Sequence, residues 1–306
     1  MSTVVTSAPA EKMKLHTSKP SFTGMVGGEL FKMSRQWITW VMLVLLAGVI
    51  ALPYIITLTV PAVKDTINLT PLLFLSNRMT QNLGVLRVFI GIFLLTLTAC
   101  AIGLEYQLGT IRILLSRGVG RLQLLAAKLT AVVIVALAVF VAGILYNILL
   151  MSALLLIMVG NLNAYHAITP AFWTEAQQYA LTVLVSMGAT ILMATAASVV
   201  GRSLTIGLSV ALAWFPVDNI GTIFLYLAYR LTHNDFWLNV SAYLLGPNLN
   251  VMPKAVITSP IGEVFAIGAQ PYVAVDGAHT LWVALVYSLI FAGVAIILTW
   301  RRDVKE

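Results

Sequence analysis

Six stretches of this 306-residue chain are almost free of charge: 37–60, 88–104, 129–159, 176–201, 203–229 and 277–300, with Asp218 the one formal charge among them. A charged side chain at the centre of a bilayer costs about 3 kcal/mol on insertion scales. Roughly 20 apolar residues at 1.5 Å per residue cross the hydrocarbon core. Each run meets that length, and the third exceeds it, which predicts a tilted or projecting helix. Backbone groups in lipid must be paired within their own segment, and no polar–apolar alternation marks a barrel strand. Hydrophobic residues make up 60% of the chain and charged ones 9%, whereas a soluble domain carries roughly 25% charged residues. A water-facing surface cannot be built from this composition.

The sequence therefore predicts an all-α integral membrane protein with six transmembrane helices at about 37–60, 83–104, 128–159, 176–200, 203–229 and 278–300. Residues 1–20 are rich in Ser, Thr, Lys and Pro and read as a disordered tail, leaving 21–306 as a single transmembrane domain. Phe22, Val26, Leu30, Met33 and Trp37 recur at helical spacing opposite Glu29, Lys32 and Arg35, which predicts an amphipathic interfacial helix ahead of the first span. The segment 230–276 is too broken by Gly and Pro for a span and too apolar for a free loop. Short outer-leaflet helices are expected there, between the fifth and sixth spans. The first apolar run is too long for a cleavable signal peptide and is expected to remain as an anchor.

Charge placement sets the orientation. With the N-terminus inside, thirteen of the 18 Lys and Arg residues fall on inner segments and five on outer ones. That is the positive-inside pattern, and it places both termini in the cytoplasm. The net charge of +7 then reads as topology and affinity for anionic membrane lipids, not for nucleic acid. Gly143, Gly188, Gly207 and Gly293 are expected at close helix crossings. Most tryptophans fall near span ends, as an interfacial belt requires. The lone cysteine, Cys100, excludes an intrachain disulfide. The four histidines are scattered, and none pairs at ligand spacing, so no metal site is expected.

The loop between the second and third spans, Glu105 to Leu129, carries the clearest pattern. A helix after Gly109 would put Ile111, Leu114 and Leu115 on one face, and Gly118 and Gly120 would end it. Glu105 is expected to cap a helix start and balance the neighbouring arginines. The run Glu105-Tyr106, Gly109-Thr110, Arg112, Leu114-Leu115, Ser116-Arg117, Arg121 and Lys128 resembles the coupling loop of type-2 ABC (ATP-binding cassette) transporter permeases. The helix before the first span, the six spans, the turn Gly201-Arg202-Ser203 and the long segment before the last span extend the resemblance over most of the chain. It implies a permease domain, usually of an exporter, in a prokaryotic plasma membrane. The implied partners are a second permease copy, identical or related, and two cytoplasmic ATPase subunits. Glu105, Tyr106, Gly109, Thr110, Arg112, Leu114, Leu115, Arg117 and Arg121 would contact those subunits. No Gly-x-x-x-x-Gly-Lys-Ser/Thr occurs in the chain, so ATP and Mg²⁺ would reside on the partner, and this subunit is expected to be neither an enzyme nor a cofactor holder.

Asp218 follows Pro216 in the fifth run, and Pro216 is expected to kink that helix. An intramembrane acid is a candidate pathway, proton or cation site. The alternative is that it satisfies backbone groups freed at the kink or lies near the outer interface. A secondary carrier using Asp218, or a non-transporting scaffold, are the competing functional readings.

Overall fold

The computed structural model describes residues 21–116 and 118–301. The tail expected at 1–20, Arg117 and the 302–306 end lie outside the described residues, as do the side chains of Arg112, Leu114 and Leu115.

Every regular element among them is helical: α1 (Phe22–Arg35), α2 (Trp37–Leu58), α3 (Val63–Leu69), α4 (Pro71–Gln107), α5 (Thr110–Ser116), α6 (Arg121–Val159), a 3₁₀ turn (Asn163–Ala167), α7 (Pro170–Gly201), α8 (Leu204–Thr232), α9 (Phe236–Ser241), α10 (Leu245–Val256) and α11 (Gly277–Arg301). Six of these, α2, α4, α6, α7, α8 and α11, are long and apolar enough to cross a membrane. The chain is a multi-pass membrane protein. Its helix ends follow local chemistry. Pro71 and Pro170 open α4 and α7, where a missing N–H costs nothing. Ser203 accepts a hydrogen bond from Ile206 N at 3.1 Å and caps α8. Gly160, at φ +78°, ends α6 in the left-handed region.

Helices α4 and α7 form the centre. Their most apolar windows are 78% and 72% buried, against 17–28% for the other four. Leu86, Ile90, Phe93 and Leu94 of α4 meet Tyr179, Val183, Met187 and Ile191 of α7 in one core cluster, joined by Ala127, Ala131 and Val132 of α6. Apolar side chains on the outer helices, among them Val44, Leu45, Leu145 and Phe224, are left exposed. Only lipid or another apolar surface suits them.

Two boundaries differ from expectation. The second span starts at Pro71, twelve residues before 83, so Arg78 belongs to the helix and not to a loop. Arg78 lies over the Phe74 ring and bonds Gln81; Arg87 is buried among carbonyl oxygens. The third helix starts at Arg121, which puts Lys128 two turns inside it and buried. The face of α1 also differs, since Glu29 is buried with Val26 and Met33 while Phe22 is exposed. Helix α8 runs unbroken through Pro216.

Of the glycines expected at crossings, a Cβ on Gly143 or Gly207 would meet neighbouring atoms within 3 Å, while Gly188 and Gly293 have nothing within 4 Å. The tightest backbone approach is elsewhere: a Cβ on Gly103 would stand 2.7 Å from Leu204 Cα. Backbone cannot rotate aside as a side chain can. Gly103→Val is therefore expected to lower stability by about 1–3 kcal/mol, while Gly188→Ala leaves it unchanged or raises it by up to about 1 kcal/mol. Unfolding midpoints in detergent measure both, and an unchanged midpoint for Gly103→Val would contradict the α4–α8 contact.

Candidate functional site

The 105–121 loop leaves α4 at Gln107 and returns into α6 at Arg121. Gly109 (φ +69°) and Gly118 (φ +82°) sit on either side of α5 in the left-handed region, which glycine adopts without steric cost. The seven-residue helix is therefore set between two reversals of the chain. Ile111 turns inward and is buried, and Leu108 and Ile113 are exposed, at 70% and 56%. The Thr110 hydroxyl donates to Glu105 O at 3.5 Å. Tyr106 packs against the cluster of Ile102, Leu125 and Val199. The helix expected after Gly109 is thus present.

Glu105 does not cap a helix start. It occupies the last turn of α4, buried, and takes part in a four-charge cluster drawn from three elements. Lys128 of α6 lies 2.8 Å from Glu105 Oε2 and 2.9 Å from Glu29 Oε1 of α1. It also donates to Ala101 O at 2.9 Å. Lys32 of α1 pairs with Glu29 at 3.1 Å and with Glu105 Oε1. Two carboxylates and two ammonium groups balance, and the Lys128 ammonium donates to Glu29 Oε1 and Ala101 O with Glu105 Oε2 at ion-pair distance. Buried charges persist only when paired and hydrogen-bonded in this way.

Lys32 is the half-exposed member. Burial pulls its pKa down, but the hydrogen bond and charge of Glu105, with those of Glu29, outweigh burial and leave it raised. A raised lysine pKa contributes stability that is fully present below the unfolded value. That contribution disappears only as pH climbs through the folded value, in the alkaline range.

Sequence reasoning missed Glu29, Lys32 and Lys128 as members of this site. The 26–29–33 spacing carried a signal for Glu29, because it shares a helix face with Val26 and Met33.

Midway along α8, Asp218 is buried and accepts a hydrogen bond from Gly246 N, in the first turn of α10, at 2.5 Å. A carboxylate there meets one of the helix's unpaired N–H groups and the positive end of its dipole. Its partner is backbone of another element, not of the Pro216 turn. Next to it, Asn219 Oδ1 accepts from Ala269 N and from Asn250 Nδ2. Arg87 completes the network. It donates to Leu249 O at 2.7 Å and to Asn250 Oδ1 at 3.1 Å. Pro253 lacks the N–H that would normally bond Leu249 O, so the guanidinium substitutes for a missing helix donor. The arrangement holds backbone in place.

No protein-family model, no curated protein and no solved structure matches the chain.

Lys128→Met removes the hub cation and leaves two carboxylates with Lys32 alone. A loss of about 3–5 kcal/mol is expected, read as a fall in unfolding midpoint that Glu29→Gln in the same chain partly restores. Asp218→Asn keeps a carbonyl oxygen for Gly246 N and is expected to stay within about 1 kcal/mol of wild type, whereas Asp218→Leu loses about 1–3 kcal/mol. Equal losses in the two Asp218 variants would show that its charge, not its acceptor, matters.

Proposed function

We propose that this chain is the membrane-spanning permease subunit of an ATP-driven transporter, an exporter of the type-2 ABC class. The reading rests on one observation. A short helix, α5, sits between two membrane-crossing helices on a pair of left-handed glycines, with Ile113 on it and Leu108 just before it exposed, inside a loop that carries the Glu105–Arg121 residue pattern of a coupling loop. A helix presented in this way suits the groove of a cytoplasmic protein.

On this reading the basic end of the bundle faces the cytoplasm of a prokaryotic cell, and α1 lies along the inner membrane surface. Two ATPase subunits bind ATP and Mg²⁺, and their closure pulls on α5. Helices α4 and α6 flank it directly. The Glu29–Lys128 and Lys32–Glu105 pairs tie α1 to the same two helices, so the pull reaches three elements together. A second permease, identical or related, supplies the other wall of the substrate route. The switch between inward and outward access is a population shift, driven by ATPases that bind the two states with different affinity. A carrier mechanism through Asp218 has less support, because that carboxylate is engaged by Gly246 N–H.

Co-purification with a P-loop ATPase in mild detergent is the direct test. In the reconstituted complex, Arg112→Glu is expected to lower transport at least about tenfold, a docking loss of roughly 1.4 kcal/mol, with normal membrane insertion and ATP hydrolysis retained. Full transport by Arg112→Glu, or a chain that binds no ATPase, overturns the reading.

A further inference from the structure

We propose that the cavity between α1, the Gln36 link that follows it, the end of α4 and α5 binds the headgroup of a phospholipid that carries a primary amine. The cavity measures about 340 Å³ and is lined by Lys32, Gln36, Leu104, Glu105, Thr110 and Ile113, among others. That volume lies within the range of small-molecule sites. Its level in a membrane is marked by Trp37 and Trp40, both exposed at the start of α2, where an aromatic belt meets the headgroups.

The polar lining selects the ligand. Lys32 Nζ is a cation at a half-exposed position, suited to a phosphate oxygen. Glu105 contributes a carboxylate. The Gln36 Oε1 atom is buried without a hydrogen-bond partner, an acceptor that requires a donor from the occupant. Lys32 and Glu105 belong to the charge cluster, yet Lys32 keeps one proton beyond its bonds to Glu29 and Glu105, and Glu105 Oε2 has no hydrogen-bond partner. One donor and two acceptors match a zwitterion with N–H donors. A choline headgroup has no N–H to offer, and an anionic glycerol headgroup brings no cation to the carboxylate. Leu104 and Ile113 give the glycerol and first methylenes an apolar wall. The inference requires only that the chain sits in a membrane, whatever drives it.

The test uses the purified full-length chain equilibrated with equal amounts of phosphatidylethanolamine, phosphatidylcholine and phosphatidylglycerol, with retained lipids counted by native mass spectrometry. Phosphatidylethanolamine is expected to exceed phosphatidylcholine about tenfold, the loss expected for missing charge-assisted hydrogen bonds. Gln36→Ala and Lys32→Ala remove the preference, and Lys32→Arg keeps it. Gln36→Ala leaves all four charges of the cluster in place, so it separates loss of the lipid from loss of the fold. Equal retention of the amine and choline lipids by the wild type, a preference for phosphatidylglycerol, or an unaltered preference in both alanine variants overturns the assignment.

Discussion

Where lipid replaces water, each peptide N–H and C=O needs a partner supplied by protein. This requirement governs the bundle most visibly between α10 and α11, where residues 257–276 leave the helical state. Side chains of the central pair take over the missing pairing. Tyr179 donates to Phe265 O, Thr80 to Glu263 O, and Asn77 accepts from Glu263 N. Glu175 accepts from Ser76 and from Ile261 N. Buried polar residues on α4 and α7 are therefore structural where they face this segment, and Asn219 of α8, Ser241 of α9 and Asn250 of α10 serve its later part in the same way.

The same requirement explains a buried guanidinium within a membrane-crossing helix. Arg87 is nearly inaccessible, and its hydrogen bonds go to Leu249 O, Asn250 Oδ1 and Ile267 O. A cation surrounded by carbonyl dipoles is tolerated because each oxygen also gains a donor. Around Lys128 the solution is different in kind, with full charges balanced against one another. Both arrangements fix the relative positions of elements far apart in sequence.

Much of the fold was legible because charge exclusion is a strong local signal. The six apolar runs correspond to the six long helices, and the glycines at 109 and 118 mark the ends of α5. The misread parts share one cause. Arg78, Arg87 and Lys128 counted against membrane helices when read locally, yet each finds its partner through folding: a ring and an amide for Arg78, carbonyls for Arg87, carboxylates from two other elements for Lys128. Charge alone puts Glu29 on the polar side of α1, although its spacing places it with Val26 and Met33. Asp218 was noticed as an anomaly, but Gly246 lies 28 residues away, a distance over which composition and periodicity carry no information.

Only Arg202 and Ser203 separate α7 from α8, and Arg202 adopts a left-handed backbone at φ 49°. Such a connection has almost no slack. With the adjoining crossing at Gly103 and Leu204 allowing no side chain between the backbones, α4, α7 and α8 are pinned together at that end. Any large rearrangement of this molecule must then carry those three helix ends as one body, with the shear falling on the helices that border them.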